Sequence, residues 1–137
     1  MQKVFLDTNI VLDFLDKKRP NHEKSLLLIS SLVKNKTAVY ISEDMLSTIF
    51  YISKDKENVL RFFEMICQKW FVVEYGSELI AKAVSVCLAN KGQDLEDTLQ
   101  CLCAKKNECT FVITSDKGFV DCGIDVVDYD TFLEIKI

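Results

Sequence analysis

Residues 3–16 read Lys3-Val4-Phe5-Leu6-Asp7-Thr8-Asn9-Ile10-Val11-Leu12-Asp13-Phe14-Leu15-Asp16. Val4-Phe5-Leu6 is an apolar run without polar alternation, the pattern of a strand buried inside a sheet. It stops at a carboxylate. Beyond it the spacing turns helical, with Val11, Leu12, Phe14 and Leu15 on one face, and Thr8 or Asn9 is the expected cap of a helix over 10–16. A strand that ends in Asp7 and hands on to a helix delivers that acid to the edge of a parallel sheet, where open α/β folds place their ligand crevices.

Two more acidic groups stand at comparable places. Thr110-Phe111-Val112-Ile113-Thr114 is the strongest strand signal in the chain, and Asp116 follows just past it. Asp94-Leu95-Glu96-Asp97-Thr98-Leu99-Gln100 opens an apolar-striped helix reaching about residue 106. Asp94 and Asp97 are three apart, so their carboxylates share a face. Each acid alone has an ordinary explanation. First-turn acids gain about 0.3–1 kcal/mol from the helix dipole, and Asp7 and Asp116 suit turns and caps. Together at one sheet edge they would repel one another unless a divalent cation sat among them. Oxygen-only donors suit hard ions such as Mg²⁺ or Mn²⁺.

Strand and helix patterns alternate between these points. A helix over about 22–33 carries Leu26, Ile29 and Val33 at helical spacing, and Thr37–Ile41 is β-branched and aromatic. Ser42 is the expected cap of a helix bearing Met45, Leu46, Ile49, Phe50 and Ile52. Asp55 caps the next, which reaches about residue 68 with Val59, Leu60, Phe63 and Ile66 inward. A short strand over 70–73, a helix over 78–90, a last strand within 123–127 and a helical turn at 130–134 complete the pattern. This is an α/β protein, a three-layer α/β/α sandwich with a mostly parallel central sheet, read as a single domain over 1–137.

Composition narrows the class. With 49% hydrophobic and 28% charged residues the chain is an ordinary globular protein rather than a disordered one. One proline and four glycines leave no visible linker. The first apolar run is too short for a signal peptide or a membrane span, so a cytoplasmic protein without membrane association is expected. A net charge of −4 counts against a general nucleic-acid coat but not against a nuclease with a local acid cluster. Lys17-Lys18-Arg19, Lys34 with Lys36, and Lys105-Lys106 are either phosphate contacts or solvated surface. The six cysteines lack a C-x-x-C pair, and reduced thiols are the expected state.

Taken in order, Val4-Phe5-Leu6-Asp7-Thr8-Asn9-Ile10, then Asp94-Leu95-Glu96-Asp97-Thr98-Leu99-Gln100, then Phe111-Val112-Ile113-Thr114-Ser115-Asp116-Lys117-Gly118-Phe119 resembles a PIN domain, in particular the small bacterial VapC-type toxins. The resemblance implies a ribonuclease that uses Mg²⁺ or Mn²⁺ and leaves 5′-phosphate and 3′-hydroxyl ends. It places Asp7, Asp97 and Asp116 on the catalytic and metal positions, Asp94 on an acidic metal position beside them, and Asn9 and Thr114 on orienting polar positions. It implies a homodimer masked by an antitoxin protein, with Ile49-Phe50-Tyr51 and Phe62-Phe63 as partner surface or core. One departure matters: Thr48 stands where such nucleases usually carry another acid, with Glu43 and Asp44 about a turn earlier. The alternative is therefore a catalytically weakened PIN fold that binds RNA or protein.

Other classes fit less well. A receiver domain needs an acid pair after the first strand and a lysine at a late strand end. A haloacid-dehalogenase-type phosphatase needs a second Asp where Asn9 stands, and no phosphate-binding G-x-x-x-x-G-K-[ST] loop occurs.

Overall fold

Five short apolar runs pair into one sheet in the computed structural model, which describes residues 2–135. Met1, Lys136 and Ile137, the ends of the expected 1–137 domain, lie outside the described residues. The strands are β1 (Lys3–Leu6), β2 (Ala38–Ser42), β3 (Phe71–Val73), β4 (Phe111–Ile113) and β5 (Asp125–Val127). Their order is β3-β2-β1-β4-β5 and all four pairings are parallel. Parallel neighbours need crossovers, supplied here by helices: α1 (Thr8–Leu15) and α2 (His22–Lys34), α3 (Asp44–Ile52) and α4 (Lys56–Lys69), α5 (Ser77–Ala89) and α6 (Leu95–Lys106), with α7 (Tyr129–Ile135) last. The result is the expected three-layer α/β/α sandwich.

The order of the strands positions everything that follows. From β1 the chain proceeds to β2 and β3 on one side, then returns to place β4 and β5 on the other. The direction reverses between β1 and β4, whose register pairs Leu6 with Ile113. Their carboxyl ends therefore stop side by side, and the amide of Asp7 donates to the Ile113 carbonyl at 3.0 Å.

Several expectations need correction. The first helix starts at Thr8, and its cap position is held by Asp7 rather than Thr8 or Asn9. Ser42 is not a helix cap but the buried end of β2, where its hydroxyl accepts a hydrogen bond from Tyr75 at 3.1 Å; Glu43 precedes α3 instead. On α2 the buried face is Ser25, Leu28 and Leu32, whereas Leu26 is 37% and Val33 71% exposed. On α4 Phe62 turns inward and Leu60 outward, with Phe63 only partly covered. Both helices have apolar residues on adjacent faces, so spacing alone admits two registers of the same stripe. Of the aromatic stretches, Ile49 and Phe62 belong to the core, Phe50 and Phe63 pack against it, and Tyr51 is left exposed.

The expectation of six reduced thiols is also overturned. Cys101 and Cys122 form a disulfide with their Cα atoms 6.1 Å apart. They are 21 residues apart in sequence, and in the chain-entropy picture a loop of that length stabilises the fold by about 3 kcal/mol. The pairing follows from the β1–β4 arrangement, which carries the segment after β4 back across α6. Cys67, Cys87, Cys103 and Cys109 are free. Among the described residues no helix is long and apolar enough to cross a membrane.

A buried ion pair fastens the opposite layer. Asp13 is 3% exposed on α1. Its Oδ1 accepts from Arg19 Nε at 2.7 Å, its Oδ2 from the Tyr129 hydroxyl at 2.8 Å, and its carbonyl meets His22 Nδ1 at 2.8 Å. One residue thereby joins α1, the turn before α2, and α7. Asp13→Ala would leave the Tyr129 hydroxyl buried without its acceptor, and is expected to lower unfolding free energy by about 2–3 kcal/mol in urea with an unchanged m value. A loss below about 0.5 kcal/mol, the size typical of surface changes, would show that the network contributes nothing.

Candidate active site

The acidic residues reach the switch point by three routes. Asp7 ends β1 and is 6% exposed. Burial is the main reason its carboxyl titrates above the ordinary range, and the Asp116 charge adds to it. Hydrogen bonds work against that rise, chiefly the one from Thr114 Oγ1 to Asp7 Oδ2 at 2.7 Å. The Thr114 hydroxyl also accepts from the Asp116 amide at 3.0 Å. A single buried hydroxyl thus orients the acid of β1 and the backbone of the acid after β4, the orienting role the sequence suggested for Thr114. Asn9 is exposed.

Asp94 and Asp97 arrive on α6. Asp94 is the helix cap, its Oδ1 accepting from the Asp97 amide at 2.8 Å. Asp116 makes the turn expected of an aspartate two residues before glycine, its Oδ1 accepting from the Gly118 amide at 2.8 Å. The ordinary roles considered for both residues are therefore real, and each commits one carboxylate oxygen to the backbone. Asp97 commits neither to such a turn. Its pKa is pushed up to about 7, first by desolvation and then by the charges of Asp94, Asp7, Asp116 and Glu96. The charges of the other three acids from the sequence therefore all reach Asp97, and that of Asp116 reaches Asp7.

Glu96, Thr8 and Gln100 belong to the same neighbourhood and were missed as site residues, whereas Asp44, already noted a turn before Thr48, joins them. Glu96 is raised by partial desolvation and then by Asp7, Asp44 and Asp94; the Thr8 hydroxyl lies 3.5 Å from its Oε1. Fully buried Gln100 donates to Thr8 Oγ1 at 3.1 Å, while its own Oε1 has no partner. The signal for Gln100 was its place on the apolar stripe of α6, one turn past Glu96, where a hydrophobic residue would be ordinary. Thr48 is exposed and turned back on its own helix, its hydroxyl 3.4 Å from the Asp44 carbonyl.

A groove of about 580 Å³ borders the site at Thr114 and Asp116 and runs past Lys117 and Phe119 to Asn21 and Lys24. Lys24 pairs with Asp130 at 3.1 Å.

The acids share a field without touching. Among the described residues, no three His, Cys, Asp or Glu side chains converge closely enough to hold a metal ion. The donor chemistry nonetheless fits a hard dication. The donors are carboxylate oxygens, and the pKa of Asp97 is raised first by desolvation and then by negative neighbours whose charge a cation would neutralise.

An open parallel α/β sheet with acids brought toward its switch point from β1, α6 and the segment after β4 defines a class, and the similarity to known proteins specifies the family. The PIN domain family model matches residues 3–118, and the chain belongs to that family. It is 34% identical to Ribonuclease VapC1 of Aquifex aeolicus over 136 residues, 97% of this chain and 94% of that one. The fold is shared with the sarcin-ricin loop cleaving toxin VapC20 of Mycobacterium tuberculosis, at a TM-score of 0.70, 13% identity and coverage of 88% and 95% of the two chains. It is shared also with VapBC2 of Rickettsia felis bound to a DNA fragment from its promoter, at a TM-score of 0.68, 15% identity and coverage of 93% and 98%.

The raised acids make a pH prediction for the cation-free protein. A carboxyl whose folded pKa lies above its unfolded one binds more protons when folded, so its stabilising effect is present at low pH and lost as pH rises through the folded value. For Asp97 that loss runs from the ordinary carboxylate value of 3.8 up to about pH 7 and is complete just above it. In chelator, the thermal midpoint is therefore expected to fall between about pH 5.5 and pH 8, and Asp97→Asn should narrow the difference. Equal midpoints at the two pH values would rule out a shared field.

Proposed function

We propose that the chain is a Mg²⁺- or Mn²⁺-dependent ribonuclease and the toxin of a toxin–antitoxin pair. The observation that carries this reading is that the charges of Asp7, Asp94 and Asp116 all reach Asp97 at the switch point, in a chain 34% identical to a VapC ribonuclease. Asp7, Asp94, Asp97 and Asp116 would hold the cation, with Asp7, Asp97 and Asp116 nearest the chemistry. A bound cation supplies Lewis acidity and offsets the charge that develops in phosphodiester hydrolysis.

The chain's own residues do the rest. Thr114 fixes the rotation of the Asp7 carboxylate, and Gln100 and Thr8 back it from the interior. Asp97, half-protonated near pH 7 in the absence of a cation, gives up its proton when positive charge arrives. This couples cation uptake to proton release. The groove beside Asp116 offers Lys117 for phosphate and Phe119 for a base, features suited to single-stranded RNA. Tyr51 and Ile52 on α3, with Leu60 and Met65 on α4, form exposed apolar positions in keeping with a homodimer or an antitoxin segment.

A second reading has its own support. Thr48 brings no charge and its hydroxyl is 3.4 Å from a backbone carbonyl of its own helix, which favours a PIN fold that binds RNA or protein without turnover.

Incubation of structured RNA with Mn²⁺, with Mg²⁺ and with EDTA, running Asp97→Asn beside wild type, separates the two readings. The expected result is cation-dependent cleavage that falls about 100-fold or more in the variant, the order seen when a charge-stabilising group is removed, with the variant still folded by circular dichroism. Cleavage unaltered by Asp97→Asn would move the active site elsewhere. Absence of cleavage by folded wild type under every condition would favour the binding module.

A further inference from the structure

The one disulfide joins the two elements that bring acids to the switch point from outside β1. Cys101 lies four residues after Asp97 on α6, one turn further along the same side. Cys122 lies in the connection that Asp116 opens between β4 and β5. Within that connection the hydrogen bonds are local. The Gly118 amide donates to Asp116 Oδ1, the Phe119 amide to the Asp116 carbonyl, and the Gly123 amide to Asp121 Oδ1. Among the described residues, what ties 115–124 to distant parts of the chain is the packing of Phe119 and Ile124 on the core, and the bond to Cys101.

The two sulfurs differ in access. Cys101 is fully buried, whereas Cys122 is half-buried at the rim. An attacking thiol therefore reaches the bond from the Cys122 side.

We propose that the Cys101–Cys122 bond is a reversible redox tie that holds the Asp116 segment against the acid-bearing helix and releases it on thiol–disulfide exchange. The co-reactant is a small-molecule thiol. Its thiolate forms a bond to Cys122 Sγ as the Cys101–Cys122 bond breaks, and Cys101 departs as a thiolate and takes a proton. A second thiolate attacks the mixed disulfide at the sulfur of the first, and Cys122 departs and is protonated in turn. The protein disulfide gains two electrons and two protons, and two thiols become one disulfide. With the tie open, the segment is held by the packing of Phe119 and Ile124 and by the Asp116 amide on Thr114, and no covalent bond fixes it against the helix that carries Asp97. The tie rests on the geometry; its consequence for cation binding rests on the nuclease reading.

The test uses the full chain equilibrated in glutathione buffers from reducing to oxidising. Alkylation and intact mass read the state of the bond, amide exchange reads the segment, and a Mn²⁺ titration by thermal shift reads the site. Expected is full interconversion with the buffer, and amide exchange in 115–124 faster by about tenfold or more on reduction while the β1 peptide is unchanged. The Mn²⁺ midpoint should rise about threefold or more, the effect of lowering the population of the binding-competent arrangement. Cys122→Ser should match reduced wild type in every buffer. Failure of the bond to form at the most oxidising ratio, or reduction that leaves exchange in 115–124 unchanged, would overturn the tie. If exchange responds while neither form binds Mn²⁺ or cuts RNA, the tie stands and the nuclease reading falls.

Discussion

The hydrogen bond from Thr114 to Asp7 sits where the sheet changes direction, and the electrostatics of the molecule are organised around it. Burying a carboxylate is unfavourable unless its oxygens find donors. Asp7 cannot withdraw, because it follows a strand buried on both faces and its own amide is committed to Ile113. The Thr114 hydroxyl offsets part of the penalty. Asp7 also stands at the cap of α1, where helix dipoles favour negative charge. What these contacts do not supply is positive charge. Asp116 and the acids of α6 then accumulate around a centre already short of compensation, and the pKa of Asp97 is raised by desolvation first and by that excess second.

The two helical layers meet this constraint differently. On one side Asp13 has its own cation: Arg19 and Tyr129 satisfy both of its oxygens, and the result is a structural joint between α1 and α7. Asp13 and Asp7 lie six residues apart in sequence and both are nearly buried, yet only one has an arginine. That contrast separates a structural acid from a candidate site. On the other side, α6 and the segment after β4 are joined by a covalent bond rather than an ion pair, so that joint places no basic side chain among the acids they carry.

Strand positions were legible because apolar runs that end in carboxylates leave few choices, and the parallel sheet followed from their alternation with helices. The family pattern added the order of Asp7, Asp97 and Asp116. Helix faces were harder to read. Leu26-Leu27-Leu28-Ile29 offers two equally good stripes, and packing rather than periodicity selects Leu28 with Leu32. Ser42 looked like a cap because serine before a helix often is one, but pairing with β3 holds it in the sheet and Tyr75 takes its hydroxyl. The disulfide was invisible for a different reason. Cys101 and Cys122 become neighbours only through the return of the chain across α6, which no local spacing encodes.

Thr48 shows why matching positions one at a time undercounts the charge in a site. Asp44 precedes Thr48 by one helical turn, so the two share a face of α3. Its charge is felt at Glu96, across from α3, and Glu96 in turn adds to the field on Asp97. Negative charge from the α3 side therefore reaches the cluster through Asp44 and Glu96 rather than through position 48. The two routes are not equivalent in reach. Asp44 and Glu96 are both exposed at the rim, where water screens them more than it screens Asp7. Charge supplied from the rim shifts the titration of the site more readily than it fixes the position of a ligand, so what the uncharged Thr48 leaves unsupplied on this face of α3 is geometry more than charge.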